Sequence, residues 1–141
     1  MDNQEIGLGT GVIQGGVLSP TLFLIMFYDL ICELTESGID SYAYADDLAT
    51  NGFTKEKLLN AIEIVERWAE NNKMKINKKK SGVIFHMKKA KKKRSNTNSE
   101  VEGYPIKKEY KYLGITIDSC MNYEKNLEII EEKIKKRNEN Y

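Results

Sequence analysis

The stretch Ile39-Asp40-Ser41-Tyr42-Ala43-Tyr44-Ala45-Asp46-Asp47-Leu48-Ala49-Thr50 decides how this chain is read. Tyr42 and Tyr44 fall on one parity and Ser41, Ala43 and Ala45 on the other, the period of two that marks a strand, with two acids in the middle. The pattern predicts a β-hairpin with Asp46 and Asp47 at its tip. No basic residue stands between Asp40 and Phe53, so the two adjacent carboxylates repel each other unless a cation sits with them. Neighbouring side chains on a regular strand point to opposite faces, and both acids reach one ion cluster only where the backbone turns sharply. A hairpin tip provides that turn. Hard oxygen ligands, few in number, suit Mg²⁺, which keeps waters and takes further ligands from substrate phosphates; the chemistry is then phosphoryl transfer. The plain alternative is a solvated turn, and the Asp-Asp dipeptide by itself favours it, because turns favour Asp.

Upstream, Gly7, Gly9, Gly11, Gly15 and Gly16 crowd one segment, which suits a loop where the backbone approaches something closely. A helix then begins abruptly, with Ser19 as N-cap and Pro20 in the first turn. Thr21 to Leu34 is nearly all apolar and Gly38 supplies a stop, so this helix is expected to be buried. Downstream, Thr54 can cap a second helix whose positions Leu58, Ile62, Val65 and Ala69 share a face, with Ala61 and Trp68 alongside. Short strands are expected at Met74 to Ile76 and at Gly82 to Met87, separated by a polar turn from Asn77 to Ser81. Lone His86 has no Cys or His partner nearby and reads as structural. Glu109 to Asp118 alternates Leu113, Ile115 and Ile117 with Tyr112, Gly114 and Thr116 and reads as a strand. A last helix, about Asn122 to Asn138, places Leu127, Ile130 and Ile134 on one side. Helix, hairpin, helix, strands and helix in that order predict an α+β fold.

The chain has 141 residues and a formal net charge of +1, but its charges are segregated. Residues 1 to 70 carry twelve Asp or Glu against three Lys or Arg, whereas residues 71 to 99 carry eleven Lys or Arg and no acid. Such a basic patch attracts polyanions. Within it, the run Lys88, Lys89, Lys91, Lys92, Lys93 and Arg94 admits three readings: a contact to phosphate backbone, a nuclear localisation signal, or a solvated loop. Backbone contact ranks above nuclear targeting, because it serves a protein that must hold many sequences. From Lys88 to Asn98 there is almost no apolar residue, so burial cannot offset ordering entropy there. Cys32 and Cys120 lie far apart without Cys-x-x-Cys spacing, which suggests neither a disulfide framework nor a zinc site. The most apolar run, Leu22 to Cys32, is broken by Asp29 and is about half the roughly 20 residues of a membrane-spanning helix. Asp2 and Glu5 occupy the first residues with no basic n-region, so the expectation is an intracellular chain, not secreted, with the nucleus as one destination.

What changes the odds for the Asp pair is its company. Tyr44-Ala45-Asp46-Asp47 follows Gly11-Val12-Ile13-Gln14-Gly15-Gly16-Val17-Leu18-Ser19-Pro20 at a suitable distance. Together these resemble motifs B and C of reverse transcriptases, nearest to the non-LTR retrotransposon and group II intron enzymes, whose Gly-Val-x-Gln-Gly-x-x-x-Ser-Pro pattern is matched position for position. Ile76-Asn77-Lys78-Lys79-Lys80-Ser81 is similar to motif D, and Tyr110-Lys111-Tyr112-Leu113-Gly114-Ile115 to the primer-gripping motif E. All four stand in family order, and the joint match is far more specific than any one motif.

The resemblance implies a partial polymerase palm over residues 1 to 118, an antiparallel sheet with packed helices, followed by a C-terminal helix as the start of a thumb. It implies RNA-directed DNA polymerisation with an RNA template, a DNA primer and dNTP, and no membrane. Asp46 and Asp47 would hold two Mg²⁺ ions, with Mn²⁺ as a substitute, to activate the primer 3′-hydroxyl and steady the leaving pyrophosphate. Gln14 and Gly15 match the segment against template and incoming nucleotide, Tyr44 the aromatic beside the primer end, and Lys80 a lysine near the triphosphate. Tyr112, Leu113 and Gly114 match the primer grip, although core-strand packing serves Leu113 equally well. Ser19 and Pro20 explain themselves as a helix start. The family's further metal-binding aspartate and its fingers lie upstream of motif B, so the expectation is an upstream portion of the same polyprotein and an isolated chain without activity. A non-catalytic, maturase-like or domesticated RNA binder is the alternative, as is a retroelement relic without function.

Overall fold

A computed structural model describes residues 15–86 and 100–138. The chain divides into two compact units, one ending at Ile76 and the other beginning at Asn77.

In the first unit α1 runs from Ser19 to Glu36. Its N-cap is Leu18, which provides no side-chain cap, so Ser19 is already helical and the expected Ser19 cap is displaced by one residue; Pro20 sits in the first turn, where a missing N–H costs nothing. The C-terminal end closes through two main-chain bonds, Gly38 N–H to the Thr35 carbonyl at 2.9 Å and Ile39 N–H to the Leu34 carbonyl at 3.0 Å. This is a Schellman closure, and it requires the left-handed φ of +66° that Gly38 supplies. Its usual apolar contact is made by Leu34 and Ile39, both almost fully buried. The helix end therefore aims the chain into the next strand.

That strand, β1 (Asp40–Tyr44), pairs antiparallel with β2 (Asp47–Asn51), Tyr44 facing Asp47 and Asp40 facing Asn51. Helix α2 (Lys55–Asn71) follows, with the Thr54 hydroxyl accepting from Lys57 N–H at 3.2 Å as the sequence predicts. Phe27, Leu30 and Leu34 of α1, Ile39, and Ala61, Ile64, Trp68 and Ala69 of α2 form the core, with Leu48 of β2 packed against it. Phe27 meets Trp68 edge-on, ring centroids 5.3 Å apart. Ile64 is buried where the spacing argument chose Ile62, because the inward stripe of α2 runs through 61, 64 and 68. Burial of α1 is one-sided, contrary to expectation: Leu22, Leu24, Ile25 and Tyr28 are exposed. The Tyr28 hydroxyl is hydrogen-bonded to Cys32 one turn on, which raises its pKa above the usual tyrosine value.

The second unit opens with the turn 77–81, closed by Lys80 N–H and Ser81 N–H to the Asn77 carbonyl. No strand forms at Met74 to Ile76, and of the strand expected from Gly82 to Met87 the described residues 82–86 contribute a single parallel bridge, Val83 with Ile106, because a strand needs a partner along its length and here finds one at one position; Met87 lies outside the described residues. Two short hairpins follow, β3 (Glu100–Val101) with β4 (Tyr104–Pro105) and β5 (Glu109–Tyr112) with β6 (Ile115–Asp118). The stretch read as one strand from Glu109 to Asp118 is thus a hairpin folded at Leu113-Gly114, and Leu113 lies exposed at its tip rather than in a core strand. Helix α3 (Glu124–Asn138) ends the described chain. Among the described residues, three helices and three two-stranded antiparallel sheets make the architecture α+β. No helix of the described residues is long and apolar enough to cross a membrane.

Candidate active site

The first hairpin carries the acids where the sequence places them. Ala45 and Asp46 are its two loop residues and Asp47 opens β2. Ala45 has a φ of +52°, as primed two-residue turns require, and such turns match the right-handed twist of the strands they join. The turn separates the neighbouring acids, so they do not alternate as on a straight strand. Directly opposed residues share a face of the sheet, which sets Asp47 beside Tyr44 and on the same side as Tyr42. The other side carries Leu48, which packs on the core, so the hairpin is anchored on one face and offers the other. Tyr42 is 62% and Tyr44 67% exposed. Asp46 and Asp47 are exposed as well, and among the described residues no basic side chain pairs with either. Tyr42, Tyr44 and Asp47 thus lie exposed on one face of the hairpin, with Asp46 in the loop beside them. Neither acid belongs to a cluster of three or more His, Cys, Asp or Glu side chains among the described residues.

Gly15 lies exposed ahead of α1 at a φ of +84°, with open space around the position a Cβ would take. Its glycine is explained by backbone conformation, whereas the close approach expected from the sequence has no counterpart among the described residues. Gln14, and the run Lys88, Lys89, Lys91, Lys92, Lys93 and Arg94, lie outside the described residues.

The other predicted site residues belong to the second unit. Lys80 is exposed on the 77–81 turn, and its carbonyl accepts hydrogen bonds from the Tyr110 hydroxyl at 2.9 Å and Lys107 Nζ at 3.2 Å. Tyr112 is half-buried at the end of β5, and Leu113 and Gly114 form the loop with φ of +48° and +85°. Two successive positive φ values mark a type I′ turn. Sequence reasoning missed the attachment of the lysine turn to Tyr110, because nothing in linear spacing joins residues 30 apart. His86 is exposed and stands outside any strand.

Comparison with known proteins identifies the family. A family model described as "Reverse transcriptase (RNA-dependent DNA polymerase)" matches residues 2–117. The chain is 30% identical, over 89% of its length, to a Drosophila melanogaster protein named RNA-directed DNA polymerase from mobile element jockey. It spans 15% of that relative's length. No solved structure matches.

Proposed function

We propose, for a chain that belongs to the reverse transcriptase family, that its Tyr44–Asp47 hairpin is the catalytic centre of an RNA-directed DNA polymerase acting on an RNA template, a DNA primer and dNTP. The observation that carries the reading is the pair Asp46 and Asp47 at one hairpin tip, exposed and, among the described residues, without basic partners. The family uses divalent metal ions, and the donor set fits such ions: hard carboxylate oxygens, few in number, with positions left for water and phosphate ligands, which selects Mg²⁺ with Mn²⁺ as substitute. When bound, the ions supply the Lewis acidity that activates a primer hydroxyl and neutralises charge on the leaving pyrophosphate.

The chain's own residues do the positioning. The face carrying Leu48 fixes the hairpin to the core, and the Ala45 turn sets Asp46 in the loop and Asp47 at the start of β2. The ring of Tyr44, opposite Asp47, provides a flat apolar surface on which the terminal base or sugar of a primer can rest. Lys80 supplies positive charge toward a triphosphate, and the Tyr112-Leu113-Gly114 tip offers an exposed turn to the primer backbone.

Exchange of Asp46 and Asp47 for Asn in a polymerase that carries this segment tests the reading. Primer extension falls by about a thousandfold or more, because several kcal/mol of charge stabilisation are lost, while retention of RNA on a filter is maintained or strengthened as two negative charges disappear. Equal loss of both activities would refute the assignment. Unchanged extension would do so as well, and RNA retention without extension in the unsubstituted protein would favour a non-catalytic RNA binder.

A further inference from the structure

The lysine turn is held at one atom. The carbonyl oxygen of Lys80 accepts from the Tyr110 hydroxyl at 2.9 Å and from Lys107 Nζ at 3.2 Å, which fills both of its lone pairs. The donors come from residues 30 and 27 positions away. Around this point the fit is close: a Cβ on Gly82 would stand 2.7 Å from Cδ of Lys107, so the Lys107 stem lies directly over the glycine. The Lys107 ammonium is also 4.7 Å from the centroid of the Tyr110 ring, within cation–π range. Main-chain bonds from Val83 N–H to the Pro105 carbonyl at 2.9 Å, and from Lys107 N–H to the Val83 carbonyl at 2.8 Å, bind the same two segments together.

A turn carbonyl in a partly exposed setting needs no protein donor, since water satisfies it at little net cost. Two side chains committed to one such oxygen therefore contribute orientation more than stability. Fixing the carbonyl fixes the peptide plane beside the Lys80 Cα and hence the direction in which its side chain leaves the backbone, while the side chain itself stays exposed. Tyr110 lies on β5 two residues before Tyr112, so one phenol ties the lysine turn to the strand that ends at the Leu113-Gly114 tip.

We infer that Tyr110 and Lys107 are positioning residues that set the Lys80 ammonium for the triphosphate of an incoming nucleotide. The inference rests on the assignment of Lys80 as a triphosphate contact, and its test separates the two. In a polymerase that carries this segment, Tyr110→Phe deletes only the hydroxyl and raises the KM for dNTP by about three- to tenfold, with kcat changed less, the range expected when one orienting hydrogen bond is lost. Lys80→Gln raises the same KM. Added to Lys80→Gln, the Tyr110→Phe change has no further effect, because it acts only through the ammonium that has gone; a merely structural tyrosine costs the same in both backgrounds. Lys107→Met keeps the stem over Gly82, removes the charge, and gives the same non-additive pattern, so the test stands even where Tyr110→Phe fails to fold. A KM unchanged by both Tyr110→Phe and Lys107→Met, or raised equally with and without Lys80, overturns the inference while leaving the Lys80 assignment intact. A KM unchanged by Lys80→Gln overturns that assignment, and the inference with it.

Discussion

Leu113 stands where two requirements pull in opposite directions. It is the first loop residue of the β5–β6 hairpin, at a φ of +48° that costs a residue bearing Cβ about 1–2 kcal/mol, and its side chain is 49% exposed, so burial returns little of that cost. The sequence that a type I′ turn prefers at these two positions is Asn-Gly. The second position already holds Gly114. A strained, solvent-facing leucine that local chemistry would replace is the kind of rule-breaking position that marks function rather than folding. Leu113→Asn is therefore expected to stabilise the chain by about 1 kcal/mol, read as a rise in Tm. If the tip grips a primer, the same variant in a polymerase loses primer affinity, so stability and function move apart. A drop in Tm would show that the leucine is held by packing after all. Ala45 repeats the theme at the β1–β2 tip, a non-glycine residue at positive φ immediately before Asp46.

At the scale of elements, what could be read from the sequence is what is decided locally. Helix α2 begins where Thr54 says it should, and Thr54→Ala removes the hydroxyl that accepts from Lys57 N–H, a loss of about 1 kcal/mol. A melting experiment on the chain checks it, with Thr54→Asn expected to restore the cap. The hairpin that carries Asp46 and Asp47 was equally legible, because parity and a pair of turn-forming residues agree over a short span, and Gly38 closes α1 by a mechanism that needs glycine. The β5–β6 hairpin was not. A two-residue loop preserves parity, so Leu113, Ile115 and Ile117 keep alternating straight through the turn, and the only local sign of reversal is Gly114. The expected strand from Met74 to Ile76 failed for the opposite reason: its apolar alternation is real, but pairing depends on a partner that linear sequence does not display. The Lys80 anchor belongs to the same class of non-local facts, since Tyr110 and Lys107 are recognisable as its donors only once the fold brings them there.

Across the whole molecule, the distribution of apolar surface is uneven. Eight buried residues from Phe27 to Ala69 form a single core in the first unit, whereas in the second only Val83 and Tyr104 are buried among the described residues. Yet the first unit also leaves one side of α1 uncovered, with Leu22 at 54%, Ile25 at 63% and Tyr28 at 65% exposure, a continuous strip at helical spacing. Hydrophobic strips of this kind drive association. A second route exists in the β1–β2 sheet, which among the described residues has two strands and so presents its edges for pairing. The two routes respond differently to mutation. Leu22→Glu combined with Ile25→Lys places an i, i+3 ion pair on the outer face of α1 without touching Phe27, Leu30 or Leu34, so thermal stability should stay within about 0.5 kcal/mol. If the strip governs behaviour, sedimentation velocity shows the 141-residue chain shifting from a self-associating distribution toward a monomer. If association persists unchanged in the double variant, edge pairing is responsible, because side chains on α1 leave the main chain of β1 and β2 as it was. A parent chain that is monomeric at tens of micromolar would remove both routes at once, since neither the strip nor the edges could then be sticky enough to matter.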